Sequence, residues 1–245
     1  MFSFFFRQPA EKTLEWMGVD IHSHLIPGID DGVSDAPSSA RYIRSLNELG
    51  IEKFICTPHV FTEVYPNTPD TIGAAAWELK AELKRQAVDV QVSAAAEYML
   101  DPDFNSILEE RKLLCLGGTY VLVEMSYQVE TPKVERYIFD LYIKGYKPVL
   151  AHPERYVYYH NNYQQYRRLR DRGCLLQLNL LSLAGYYGKA VRQVALSLLK
   201  EGLIDLVGTD LHHERHLQQL QEFVKSGSAG RILRGYSFRN KELFM

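Results

Sequence analysis

Val19-Asp20-Ile21-His22-Ser23-His24 is a short apolar run ending in two histidines, and after a polar loop the chain continues as the amphipathic stretch 37–49, stopped by Gly50. This couplet decides the fold, because it recurs along the chain. Short strand-like runs fall at 19–22, 53–57, 90–95, 120–124, 148–151, 175–178 and 204–208. Between them the hydrophobic period lengthens to that of a helix over 37–49, 74–86, 104–110, 133–144, 163–172 and 190–201, with a last helix over 214–225. Gly50, Gly145, Gly173 and Gly202 stand just past helix ends, where a left-handed residue is needed. Alternating β and α units imply an α/β fold with a parallel sheet and right-handed crossovers, either doubly wound or closed into a barrel. Seven units suggest a barrel one unit short of the usual eight.

Composition narrows the class. The chain has 245 residues, 46% hydrophobic and 24% charged, which is ordinary globular usage and excludes collagen-like, coiled-coil and disordered readings. Lys and Arg total 28 against 30 Asp and Glu, so the net charge is -2, without the basic surplus expected of a nucleic-acid binder. No Pro/Gly/Ser-rich linker divides the chain, which is read as one domain over 1–245, with an N-terminal arm at 1–17 and a tail at 226–245 that packs back or meets another subunit. No apolar run is long enough for a membrane span. The opening Met1-Phe2-Ser3-Phe4-Phe5-Phe6-Arg7 is too short for a signal sequence and reads as an arm packed on the domain, or as an exposed contact. Cys56, Cys115 and Cys174 lie far apart, as in a reduced, cytoplasmic protein.

The ligand-capable residues collect where strands end. The first strand runs into His22 and His24, and the second ends at Thr57-Pro58-His59. Glu97 follows the third strand, Glu124 ends the fourth, and His152 ends the fifth in Ala151-His152-Pro153-Glu154-Arg155. The seventh delivers Thr209-Asp210-Leu211-His212. In a parallel array these ends share one face, where active sites assemble. A lone strand-end histidine is ordinarily a packing or surface residue. Six strand ends carrying His, Asp or Glu together have no packing explanation, and imidazole with carboxylate suits divalent Zn, Mn or Fe.

Asp20-Ile21-His22-Ser23-His24-Leu25-Ile26-Pro27-Gly28-Ile29-Asp30-Asp31-Gly32 resembles the opening motif of the polymerase-and-histidinol-phosphatase (PHP) superfamily, and more narrowly the manganese-dependent protein-tyrosine phosphatases of bacterial capsule and exopolysaccharide loci. The likeness continues through Cys56-Thr57-Pro58-His59, Ala96-Glu97-Tyr98, Leu122-Val123-Glu124, His152-Pro153-Glu154-Arg155-Tyr156 and Gly208-Thr209-Asp210-Leu211-His212. It implies a distorted seven-stranded, TIM-like (β/α)7 barrel and three divalent metals, manganese foremost, with Fe, Zn, Co or Mg as alternatives. By resemblance, His22, His24, Glu97 and Asp210 hold the first metal; Glu97 bridges to a second held by Glu124 and His152; Asp31, His59 and His212 hold a third. Asp31, beside Gly32, is preferred to Asp30. Arg155 and Arg215 are carried over as the phosphate-binding arginines, Arg215 standing closer to the D-x-H motif than in those phosphatases.

The activity so implied is hydrolysis of phosphotyrosine by a metal-activated hydroxide, a phenolate being a good leaving group. Its substrate would be a membrane-associated bacterial tyrosine kinase that controls polysaccharide export. The alternatives are a small-molecule phosphatase, such as one for histidinol phosphate, and a weakly active regulatory protein that binds the kinase. A cysteine phosphatase needs an Arg six positions after its nucleophile, and here Thr62, Val121 and Leu180 occupy those places. His160, His213 and His216 are open as proton donors. Tyr65, Tyr98 and the cluster Tyr156, Tyr158, Tyr159, Tyr163 and Tyr166 are read as either an aromatic wall for the substrate ring or plain packing. Asn179 ends the sixth strand, placed to support a metal ligand. The run Arg167, Arg168, Arg170 and Arg172 is read as a solvated face that would also attract an acidic phosphopeptide.

Overall fold

The computed structural model describes residues 11–110 and 112–245, so the aromatic run at the start of the chain lies outside the described residues. Nine strands are described: β1 (Val19–Asp20), β2 (Lys53–Cys56), β3 (His59–Val60), β4 (Gln91–Ala94), β5 (Glu97–Met99), β6 (Tyr120–Glu124), β7 (Lys147–Ala151), β8 (Leu175–Asn179) and β9 (Leu206–Gly208). The helices are α1 (Ala36–Asn47), α2 (Pro69–Arg85), α3 (Phe104–Glu110), α4 (Val134–Ile143), α5 (Tyr163–Asp171), α6 (Leu180–Ala184), α7 (Lys189–Lys200), α8 (Glu214–Lys225), α9 (Ser228–Leu233) and α10 (Asn240–Phe244).

All strand pairing is parallel. It divides into a three-stranded sheet, ordered β1-β2-β4, and a six-stranded sheet, ordered β3-β5-β6-β7-β8-β9. The expected seven strands are therefore nine, because two of them are interrupted. Pro58 has no N–H to give the ladder and separates β2 from β3, and Ala95-Ala96 separates β4 from β5. Single bonds carry the pairing across these breaks: Ala95 N donates to Cys56 O at 2.8 Å and Glu97 N to Pro58 O at 3.0 Å.

The arrangement does not close by a regular ladder as the barrel expectation required. Between the first and last strands there is an isolated bridge, Ser23 with Leu211, and two backbone bonds, Asp210 N to His22 O at 2.7 Å and His24 N to Leu211 O at 3.0 Å. Side chains take over the remainder of that seam. The Asp20 carboxylate accepts from Thr209 N at 3.0 Å and from Thr209 Oγ1 at 2.6 Å. Asn240, buried on α10, donates to Val19 O at 3.0 Å and Val207 O at 2.8 Å and accepts from Val207 N at 3.1 Å. The tail thus packs back on the domain.

Strands buried on both faces read as apolar runs because each side has its own core. One large cluster joins the strands to the helices, through residues such as Ile43 and Leu46 of α1 and Val194 and Leu198 of α7. A smaller cluster gathers Val19, Ile21, Ile55, Leu122, Val149 and Leu206, with Phe244 of α10 packed into it. Helix α2 begins at Pro69, earlier than expected, because Thr68 and Thr71 form a reciprocal cap and Pro69 fits the first turn. The short α6, α9 and α10 carry too few turns for periodicity to reveal them.

Asn240→Ala leaves three buried backbone groups of β1 and β9 without partners. It should lower the free energy of unfolding by about 2–3 kcal/mol, read from urea denaturation followed by circular dichroism.

Candidate metal centre

The strand ends bring all nine expected ligands together. Groups of potential donor atoms lying within 4.8 Å of one another are His24-Asp31-His59-His212, His22-Glu97-His152, His22-His24-Asp210 and His59-Glu97-Glu124. Two of these residues sit on strained backbone: His152 has φ 33° and Asp210 φ 49°, a left-handed conformation that costs about 1–3 kcal/mol for a residue other than glycine. The turn at His152 sends the chain directly into the short helical turn Pro153–Arg155, which places Arg155 beside the cluster. Gly32 is required by closeness: a Cβ there would stand 2.2 Å from His24 O and 2.5 Å from His24 Cβ.

Glu97 is the hub. Its Oε1 lies 3.3 Å from His22 Nε2 and 3.1 Å from His152 Nε2, and its Oε2 lies 3.2 Å from His59 Nδ1 and 3.5 Å from His24 Nε2. Oε2 nevertheless has no partner with hydrogen-bond geometry, although the residue is fully buried. Asp210 presents Oδ1 to His22 Nε2 at 3.3 Å and His24 Nε2 at 3.4 Å. Its Oδ2 accepts from Arg155 at 2.8 Å and from Asn179 Nδ2 at 2.7 Å, so Asn179 does support a candidate ligand. Asp31 Oδ1 lies 3.4 Å from His59 Nε2 and 3.6 Å from His212 Nε2. Asp30 plays another part: its Oδ2 meets His24 Nδ1 at 2.8 Å, and it also accepts from Gly32 N and His59 N.

These contacts orient the imidazoles as metal ligands are oriented. Nδ1–H of His22 donates to Gln177 Oε1 at 2.7 Å, that of His24 to Asp30, and that of His212 to Asp210 O at 3.0 Å. Each turns Nε2 toward the cluster, where its lone pair is available to a cation once the proton is lost, and the His22 and His24 Nε2 atoms face one another at 3.4 Å. The donor set therefore fits divalent cations. One expected grouping differs. Glu124 and His152 are separated by the Tyr127 hydroxyl, 3.0 Å from His152 Nε2 and donating to Glu124 Oε2 at 3.4 Å. Tyr127, Gln177 and Tyr187 escaped the sequence reading, since none ends a strand within a motif.

Charge balance sets the titration of the bare cluster. Burial pushes the His22, His24 and His59 imidazoles toward neutrality, but the surrounding carboxylates outweigh it. His24 lies well above its ordinary range and His59 is raised to about 10. Burial would raise Glu97 and Asp210, yet the facing imidazoles hold both well below the usual carboxylate range. His212, buried and close to His24, falls to about 3.

A cavity of about 380 Å³ opens over this cluster, lined among others by Asp31, His59, Glu124, Asp210 and His212. Its remaining walls include Arg155, Tyr65, Tyr127, Tyr187, His213 and His216. Arg155 thus stands where the resemblance expected it. Arg215 does not line the cavity; it is exposed on the first turn of α8, whereas the N-capping His213 and the buried His216 do line it. His160 is turned elsewhere, to Glu154 O at 2.9 Å.

Of the tyrosines, Tyr156, Tyr159 and Tyr166 are buried and packed edge-on or stacked within their own cluster, and Tyr98 is buried with its hydroxyl on Leu114 N. Only Tyr65 of the residues proposed as a wall lines the cavity. The basic run on α5 is largely neutralised, Arg167 pairing with Glu201, Arg170 with Asp205 and Arg172 with Glu135. Burial pushes the Cys56 and Cys174 thiols up to about 12, far from the reactive thiolate range.

A cation entering this cluster must displace the proton of His59, whose imidazole is raised to about 10 by the facing carboxylates. Manganese titrated by calorimetry in buffers of different ionisation enthalpy should show proton release, and affinity should fall by at least ten-fold between pH 8 and pH 6.

The model of the capsular polysaccharide synthesis family CpsB/CapC matches residues 18–226. The tyrosine-protein phosphatase YwqE of Bacillus subtilis is 34% identical over 196 residues, covering 80% of this chain and 77% of that protein. The tyrosine-protein phosphatase CpsB of Streptococcus pneumoniae is 26% identical over 201 residues, 80% of this chain and 83% of its own. A chain from the crystal structures of these two proteins, described there as unique metal-dependent tyrosine phosphatases, superposes with a TM-score of 0.76 at 29% identity, over 90% of this chain and 96% of that one. With a match running from the first strand to the end of α8, this chain belongs to the capsular polysaccharide synthesis CpsB/CapC family.

Proposed function

We propose that this protein is a metal-dependent protein-tyrosine phosphatase, and that its nine clustered donors bind three divalent cations, manganese first among them. The observation that carries the reading is the juxtaposition of that cluster with one half-buried, cavity-lining arginine, Arg155. Family membership and the names of the relatives support it. His22, His24, Glu97 and Asp210 would form one site, Glu97, Glu124 and His152 a second, and Asp31, His59 and His212 a third. The seam between the first and last strands supports reading the whole as a single domain built on a distorted seven-stranded barrel. The relatives' family suggests a bacterial tyrosine kinase of polysaccharide export as the phosphoprotein, met in the cytoplasm. No helix among the described residues is long and apolar enough to cross a membrane.

Bound divalent cations supply a nucleophile at neutral pH and neutralise phosphate charge. The chain does the remaining work. Arg155 offers planar, permanently charged N–H groups to the non-bridging oxygens, while Asp210 takes one of its donors and fixes its position. Gln177, Asp30 and the Asp210 carbonyl hold three imidazoles by Nδ1, so that Nε2 of each is turned toward the cluster. Tyr65, Phe61 and Val64 form an apolar lip along the cavity, suited to a phenyl ring. Phenolate departs with little help because its conjugate acid has a pKa of about 10.

The test is a substrate panel on manganese-loaded protein. Phosphotyrosine peptides should be hydrolysed faster than phosphoserine peptides or histidinol phosphate, chelator should abolish turnover, and thiol alkylation should leave it unchanged. Arg155→Ala should lower kcat/KM by roughly 10²–10³-fold. Preference for histidinol phosphate would overturn the substrate assignment, and turnover that survives chelation would overturn the metal mechanism.

A further inference from the structure

Arg155 is held by more than its ion pair. Its guanidinium carbon lies 4.3 Å from the Tyr127 ring centroid and 4.3 Å from that of Tyr187. The two rings come from separate places, one in the loop after β6 and the other in the loop between α6 and α7. Each is also tied to the donor cluster. The Tyr127 hydroxyl touches His152 and Glu124. Tyr187 Oη accepts from Asn179 Nδ2 at 3.3 Å, and the same amide donates to Asp210, which accepts from Arg155. A closed circuit results, running from Arg155 through Asp210 and Asn179 to Tyr187 and back to the guanidinium face.

We propose that Tyr127 and Tyr187 are positioning residues that hold Arg155 flat against their rings, so that its unused N–H groups face the cavity and receive a phosphate ester. The inference rests on the phosphatase reading of the site. An arginine with four side-chain torsions loses much of its freedom when it binds an anion, and that cost falls if the protein has already fixed the plane. Ring faces are suited to this, because they attract the cation without using any of its hydrogen-bond donors. The Asp210 carboxylate takes only one donor, which leaves the others for substrate oxygens. Neither tyrosine lies in a metal-binding motif of the sequence, and neither was expected from it.

Tyr187 gives the cleaner test, since Tyr127 also touches candidate ligands. Inorganic phosphate is titrated by calorimetry into manganese-loaded wild type, Tyr187→Phe, Tyr187→Leu and Tyr187→Met, with metal content measured for each. Tyr187→Leu should bind phosphate about ten-fold more weakly at unchanged metal content, and KM for p-nitrophenyl phosphate should rise in step. Tyr187→Phe keeps the ring and should restore most of that affinity. Tyr187→Met keeps bulk without a π face and should behave as Leu does, which covers the case in which Leu fails to fold. In an Arg155→Ala background the same Tyr187 changes should have no further effect. Phosphate affinity in Tyr187→Met equal to wild type, a Phe variant as weak as Met, or full additivity with Arg155→Ala would each overturn the proposal. A wild-type protein that binds manganese but neither binds phosphate nor hydrolyses p-nitrophenyl phosphate would instead overturn the phosphatase reading on which it rests.

Discussion

Glu97 is a fully buried carboxylate whose two oxygens face four imidazoles within 3.5 Å, and this compensation of charge underlies the whole assembly. A buried carboxylate without partners would cost several kcal/mol and would be driven to take up a proton. Asp210 repeats the arrangement on a smaller scale, with imidazoles against one oxygen and Arg155 and Asn179 against the other. Because these groups satisfy one another only when all are present, the strand ends cannot drift independently. The loops that carry them are tied down accordingly: Asp30 anchors His24 and the backbone of His59, and Glu154 accepts from Asn179 N and Ser182 Oγ.

The same logic accounts for the backbone at His152 and Asp210. Left-handed residues store strain, and both positions are ends of parallel strands where a side chain must turn sharply toward a common centre. Burial raises Glu154 to about 7, and its carboxyl ties the helical turn that follows His152 to the start of α6 through Asn179 N and Ser182 Oγ. Asp20 is likewise raised to about 6 by burial, although Thr209 and the His22 backbone donate to it.

Much of this was legible in the chain. Strand ends announce themselves because an apolar run has no structural use for His, Glu or Asp where it leaves the core, and the eight residues so marked converge, joined by Asp31, which only the family resemblance pointed to. Helix limits set by capping or glycine, as at Gly50 and Gly173, were also readable. What was not readable depends on three-dimensional packing. The breaks at Pro58 and Ala95-Ala96 follow from where ladder bonds fail, which periodicity does not record. Tyr127 and Tyr187 sit in loops, and only their proximity to Arg155 distinguishes them among 16 tyrosines. Arg215 shows the converse: the family resemblance pointed to it despite its closer spacing to the D-x-H motif, but the turn at the start of α8 leaves it exposed and gives the cavity wall to His213 and His216.

The seam that joins Asp20 to Thr209 spans 189 residues of sequence. During synthesis, five strand ends' worth of imidazoles and acids emerge from the ribosome long before their last companions, Asp210 and His212, can arrive. Until then no closed seam fixes the geometry of the donors already made. Only when Asn240 docks against Val19 and Val207 is the final shape imposed on the ligands. The donor cluster is therefore completed only by the part of the chain that is made last.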